Sequence, residues 1–348
     1  MQHKSDTIGI NTKHNNSTRK QMSISNKYEI IERIGAGAYG EVFKAREVST
    51  HKIVALKLIK RSVCTDGFPK TTIHEIILLR QFDHPNITKL IDVFTGNDRD
   101  VYLVFDYAEY DLSSLIRSRQ LLTMQRIISF IRQMLLGLLV CHEKYIYHRD
   151  LKPDNILITA GNIVKISDFG LAKQFPQYYN KPKTCNVITV PYRPLELLLK
   201  SENYGPEVDI WSLGCVFFEM VVGRSPFVIG AEGPINETTI IKNIFEIYGL
   251  PDKEWPKWRD LQDANLYFNS KIKQPITLDS FLTQKLPKEF IGLKSLLSKM
   301  LCLNPEKRAK IEDLFLDPFL RSIDNVEPEN IPKITIPEIH NSKEKNKK

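Results

Sequence analysis

Residues 147–157 read "YHRDLKPDNIL" and residues 166–170 read "ISDFG". Asp150, Asn155 and Asp168 supply oxygen ligands or a base, and Lys152 puts a positive charge near them. Mg²⁺ takes carboxylate and carbonyl oxygens together with substrate phosphates. Transfer of a phosphoryl group asks a protein for positioning and charge neutralisation rather than covalent chemistry. A carboxylate beside the incoming hydroxyl, two metal ligands and a lysine on the phosphates meet that need.

Upstream, residues 28–60, "YEIIERIGAGAYGEVFKAREVSTHKIVALKLIK", alternate apolar and polar in short bursts, which predicts three strands. Gly35, Gly37 and Gly40 share the spacing of a dinucleotide-binding loop, but such a loop opens a helix. Here it runs into "EVFKARE", a strand pattern, so a strand–loop–strand hairpin over phosphates is expected. Lys57 follows in "VALK", flanked by Ala55, Leu56 and Leu58, and an ammonium against a core needs a partner. Residues 67–87, "GFPKTTIHEIILLRQFDHPNI", predict a loop and then an amphipathic helix carrying Ile73, Ile76, Ile77 and Phe82. Glu75 on that helix is either the partner of Lys57 or the end of a Thr72-x-x-Glu75 capping box. Two more strand-like runs follow, "TKLIDVF" and "DVYLVFDY", and from Asp111 helix patterns take over in "LTMQRIISFIRQMLLGLLVCHEKY" and "DIWSLGCVFFEMVVG".

The 348 residues thus divide into a β-rich lobe and an α-rich lobe, an α+β architecture with a cleft between them. The expected boundaries are a disordered basic tail at 1–26, a domain at 28–320 (lobes 28–107 and 108–320) and a Pro- and Lys-rich tail at 321–348. Net charge is +8, and residues 1–27 hold five Lys/Arg against one Asp. That arm reads as a solvated tail or a weak phosphate-binding arm. No aromatic-interleaved basic patch or zinc pattern points to a specific nucleic acid. No apolar run approaches the ~20 residues of a membrane span. The five cysteines form no CxxC pair, which fits reduced thiols in a nuclear or cytosolic protein.

The ordered set of glycine loop, strand lysine, helix glutamate, HRD-x-x-x-x-N and DFG resembles the eukaryotic protein kinases over roughly residues 28–320. The resemblance implies ATP and Mg²⁺. It makes Asp150 the acceptor of the substrate hydroxyl proton and Lys152 the lysine that steadies the transferred group. Asn155 and Asp168 become the Mg²⁺ ligands, and Lys57 the lysine on the ATP phosphates, paired with Glu75. The glycine loop over the nucleotide would be Gly35, Ala36, Gly37, Ala38, Tyr39, Gly40 and Glu41. Ile34, Val42, Ala55 and Leu157 would sandwich the base, and Phe105, Asp106 and Ala108 would belong to the hinge. Asp209 would brace the catalytic loop, with Glu196 and Arg308 as a buried ion pair.

Within that family the 67–87 stretch is similar to the cyclin-binding helix of cyclin-dependent kinases, "VITVPYRPLELLL" to their substrate-docking loop and "IFEIYGLPDKEWPKW" to their insert. No Thr-x-Tyr pair follows DFG, unlike the mitogen-activated kinases. The Gly-Phe-Pro lead-in and "TCNVIT" are closest in look to the transcriptional members, which are nuclear and act on Ser-Pro repeats of the RNA polymerase II tail. The resemblance implies a cyclin on segment 67–82 that swings the helix inward. It also implies Ser/Thr-Pro substrates, because Ile188 turns its backbone towards Arg193. Thr184 stands at the activating phosphosite. Its receptor would be Arg149 with His74 and Lys173, where the family has three arginines, and His74 has the alternative of a plain surface residue. Pro191, Leu195 and Ala38 replace the usual Trp, Pro and Thr. The alternatives are a cell-cycle kinase, a cyclin-independent kinase and a pseudokinase scaffold.

Overall fold

A computed structural model describes residues 27–335, apart from 38–39, 61–69, 97–99, 119–120, 176–182, 229–233, 269, 271–274 and 325. The first lobe is a five-stranded sheet built from β1 (Tyr28–Gly37), β2 (Gly40–Glu47), β3 (Ile53–Ile59), β4 (Leu90–Thr95) and β5 (Val101–Asp106). Its order is β1-β2-β3-β5-β4, every pair antiparallel. The period-two pattern sorts its side chains. Ala45, Val54, Leu56 and Val104 face a small outer core with Tyr28. Register puts Val42 opposite Lys57, and Ala55 opposite Phe105, on the other face. One helix, α1 (Lys70–Leu79), joins this lobe between β3 and β4.

Residues 86–88 stitch the lobes together. Ile87 bridges Ile166, Thr88 N–H donates to Ile166 O (2.9 Å), and Ile166 N–H donates to Asn86 O (2.9 Å). Asn86 Nδ2 adds bonds to Gln133 Oε1 and Val164 O. The close approach demands glycine at position 137, where a Cβ would sit 2.7 Å from Asn86 O.

The second lobe opens with β6 (Tyr110–Asp111), α2 (Leu112–Ser118), α3 (Met124–Glu143) and β7 (Ile146–Tyr147). Next come β8 (Ile156–Ile158), β9 (Val164–Ile166), β10 (Lys173–Gln174), α4 (Leu195–Leu198) and α5 (Glu207–Val222). It ends with α6 (Glu237–Tyr248), α7 (Leu278–Lys285), α8 (Leu293–Met300) and α9 (Ile311–Leu314). Thr123 caps α3 by accepting from Arg126 N–H. Gly223, at φ 87°, closes α5 in the left-handed region. α5 is apolar on all sides because it is the axis of the lobe, with Trp211, Leu213, Val216 and Phe217 fully buried.

Two expectations are corrected. α3 is long and apolar enough to span a membrane by length and composition, and most of it is buried among the helices of this lobe. The run from 321 on is not all tail. Val326, Ile331 and Ile334 are buried. Arg126 Nη2 donates to Pro332 O (2.7 Å), Asn162 Nδ2 to Ile331 O (3.0 Å), and Ile334 N–H to Ala160 O (2.9 Å). Local composition reads Pro and Lys as solvated, whereas the isoleucines between them fill a groove beside α3. Ile334→Ala therefore costs about 2–4 kcal/mol of stability, checked by urea unfolding.

Candidate active site

Each side of the cleft is fixed by a separate device. At the glycine loop β2 runs so close to β3 that a Cβ on Gly40 would meet Leu58 O at 1.6 Å. β1 and β2 form the antiparallel hairpin that distinguishes this loop from a dinucleotide-binding one. Ile34 is exposed at its rim. Ala38 and Tyr39 lie outside the described residues.

Lys57 Nζ donates to both carboxylate oxygens of Glu75, at 2.9 and 3.0 Å, and lies 3.7 Å from Asp168 Oδ1. Burial works against the ammonium, yet Glu75 and Asp168 hold its pKa above the ordinary lysine value. Burial pushes the Glu75 carboxyl up, against the pull of Lys57. With two short bonds in place we take the pair as ionised. Thr72 lies inside α1 and is itself buried, so Glu75 is an ion-pair partner and not the end of a capping box. The helix stands in its inward position. Ile76, Leu78 and Leu79 pack on the core, while Ile73 and Ile77 are 49% and 56% exposed, so the predicted stripe divides in two.

Across the cleft, Asp150 Oδ2 accepts from Lys152 Nζ (2.8 Å) and Asn155 Nδ2 (3.1 Å). Its Oδ1 accepts from Thr189 Oγ1 (2.6 Å) and Thr189 N–H (3.2 Å). Thr189 is a site residue that sequence reasoning missed, since no local signal ties it to a carboxylate 39 residues earlier. Asn155 O accepts both Ser167 N–H and Ser167 Oγ, which sets Asn155 beside the strand end that carries Asp168. Asp168 has φ 60°, a conformation Asp tolerates, and its half-exposed carboxylate faces the cleft near Lys57. Phe169 is fully buried against Phe82 (5.5 Å) and His148 (4.9 Å). Hard oxygen donors at Asn155 and Asp168, with few protein ligands, fit Mg²⁺ shared with phosphates. Among the described residues no group of three or more His, Cys, Asp or Glu could hold a metal alone.

Asp209 holds this loop from below. Its Oδ2 accepts His148 N–H and faces His142 Nε2, both at 2.9 Å, and its Oδ1 accepts Arg149 N–H (2.8 Å). Burial works to raise the carboxyl, but His142, His148 and the Arg149 N–H keep it below the usual range. Glu196 and Arg308, both buried, pair at 2.8 and 3.2 Å. At the hinge Asp106 is bound on several sides. Its N–H donates to Lys89 O, its Oδ1 accepts Lys89 N–H, and its Oδ2 pairs with Lys165. Tyr107 and Ala108 follow as non-strand residues, and Leu157 lies half-buried on β8.

Next to Thr189, Ile188 has φ 68°, and its carbonyl accepts Arg193 Nε (3.0 Å) and Nη2 (2.8 Å). Arg193 also pairs with Glu237, a contact unseen in the sequence. Thr184 is exposed, and Arg149 and Lys173 lie over the Phe175 ring together with Lys183. His74 is half-buried on α1. Among the described residues, those three are the cations the structure places on that ring.

A two-lobed fold whose cleft joins Lys57–Glu75 to Asp150, Asn155 and Asp168 is the arrangement of a protein kinase. The chain belongs to that family, since residues 28–320 match the protein kinase domain. Cyclin-dependent kinase C-2 of Oryza sativa subsp. japonica is 36% identical over 328 residues, covering 88% of this chain and 61% of that protein. Cyclin-dependent kinase 12 of Drosophila melanogaster is 37% identical over 322 residues, 89% of this chain and 27% of that one. The chain thus spans under two thirds of these relatives. The solved yeast RNA Pol II CTD kinase CTDK-1 complex matches at TM-score 0.78 and 32% identity, over 87% of this chain and 96% of the other.

Asp209→Asn tests the brace. A carboxyl held below its ordinary value contributes stability above about pH 4 and loses it as pH falls through the folded pKa. The stability gap between wild type and Asp209→Asn, read by urea unfolding, is therefore full at pH 7 and shrinks as pH drops below about 4.

Proposed function

We propose that this protein is a Ser/Thr-Pro-directed kinase of the cyclin-dependent type, acting in the nucleus on the C-terminal repeats of RNA polymerase II. The observation that carries phosphoryl transfer is the closed set Lys57–Glu75–Asp168 opposite Asp150–Lys152–Asn155. The cyclin-dependent and transcriptional parts rest on the relatives above and on the exposed Ile73 and Ile77 of α1, which offer a partner an apolar contact.

In this reading Lys57, fixed by Glu75, orients the ATP phosphates. Asp150 accepts the proton of the incoming hydroxyl, and Lys152, 2.8 Å from it, steadies the transferred group. Mg²⁺ held by Asn155 and Asp168 would neutralise phosphate charge. Thr189 keeps the Asp150 carboxylate aimed. Proline selectivity comes from Ile188. With its carbonyl spent on Arg193, a substrate residue after the target Ser/Thr finds no acceptor for its N–H, and proline has none to lose. Thr184 stands at the family's activating phosphosite, but Lys173 and His74 lack the planar fork of arginine, so a phosphate there is held weakly and more of the activation is left to the cyclin.

The test is ATP-dependent labelling of Ser-Pro repeat peptides by the purified chain with its co-purifying cyclin-box subunit. Labelling is lost in Asp150→Asn. A peptide array without preference for Pro after the target residue sinks the selectivity argument. Lys57→Ala and Glu75→Ala both abolish turnover while circular dichroism stays native. Near-normal turnover in Glu75→Ala would falsify the role given to the ion pair.

A further inference from the structure

Behind the activation segment lies a cavity of about 920 Å³, whose walls include Tyr147, Phe175, Lys183, Tyr204, Glu207 and Arg308. It is separate from the cleft, and Lys183 reaches it from the activation segment itself. Lys183 N–H donates to Glu202 O (2.9 Å), and Lys183 Nζ donates to Tyr204 O (2.6 Å). The same ammonium lies 5.3 Å from the Phe175 ring centre and 5.4 Å from that of Tyr204, within cation–π range. Burial lowers its pKa, and the charge of Glu207 across the cavity opposes that.

The next bonds run straight to the catalytic loop. Tyr204 Oη donates to Thr184 O (2.8 Å) and accepts from Arg149 Nη1 (2.9 Å). Arg149 N–H is held by Asp209, and Asp150 is the following residue. Thr184 is therefore fastened through its backbone, and no atom of its side chain takes part in these bonds. A few residues on, Ile188 and Thr189 make their bonds to Arg193 and Asp150. A phosphate on Thr184 would serve to pull cations onto this segment. Here a cation of the segment is already seated in an aromatic corner with a backbone acceptor.

We propose that Lys183 is a positioning residue: its ammonium, docked on Phe175 and Tyr204, holds residues 183–189 in the substrate-accepting shape without a phosphate on Thr184. This rests on the kinase reading above, and labelling by the wild type checks that reading separately. Lys183→Met keeps the aliphatic stem and removes the charge, and Lys183→Arg restores a cation.

With the co-purifying subunit in place, Lys183→Met lowers kcat/KM for a Ser-Pro peptide about 20-fold or more and leaves KM for ATP within about twofold. Lys183→Arg recovers activity to within about threefold, and Thr184→Ala alone costs less than about threefold. Hydrogen exchange gives a second readout that needs no turnover. The amides of Lys183 and Thr189 exchange about tenfold faster in Lys183→Met, while those of α5 are unchanged. The idea is overturned by activity and exchange at wild-type level in Lys183→Met, by an arginine variant no better than methionine, or by Thr184→Ala losing as much as Lys183→Met.

Discussion

One buried carboxylate governs the geometry of this cleft. Asp209 sits at the start of α5 with no exposure to solvent, and accepts the N–H groups of His148 and Arg149. Arg149 has φ 62°, which a non-glycine residue adopts at a cost of about 1–3 kcal/mol unless its surroundings impose it. The two bonds impose it. The result is a chain reversal that turns Asp150 out to the cleft and His148 inward, where Nε2 meets Ser167 O at 2.9 Å. Through His148 the same carboxylate reaches Phe169 and so the segment that carries Asp168. Asp150 and Asp168 are thus referred to one helix rather than to the loops they stand on.

The first lobe is tied to this frame by two different kinds of contact. Residues 86–88 are bonded to Ile166 through the backbone, so that end of the lobe moves with β9. Glu75 reaches Lys57 through a side chain, and α1 presents Ile73 and Ile77 to solvent on its far side. A pair that depends on the seat of one short helix responds to anything that presses on that helix. Backbone stitching at residues 86–88 fixes one end of the lobe, and the ion pair ties Lys57 to the seat of α1.

The cleft was legible in the sequence because its groups must be particular residue types at particular spacings. Asp150, Asn155, Asp168, Lys57 and the glycine loop are recognisable for that reason. Strand and helix order followed from period, as in β3, where Val54, Leu56 and Leu58 alternate with Ala55 and Lys57. What stayed hidden were contacts made through space by ordinary residues. Thr189 on Asp150, Glu237 on Arg193 and Lys183 on Tyr204 join segments whose proximity only the fold creates. The inward-facing isoleucines after residue 325 were masked by the Pro and Lys around them. Thr72 looked like a cap because local pattern did not reveal that the helix already begins at Lys70.

That last packed segment has a kinetic meaning. Its bonds from Tyr110, Arg126 and Asn162 span 224, 206 and 169 residues of chain. Closing loops of that length is entropically costly and is repaid only once both ends are ordered. The segment therefore docks late, onto a lobe already formed, and is the natural point from which that lobe begins to open. Its isoleucines act as a seal on a finished core, where the apolar residues of α5 are the core itself.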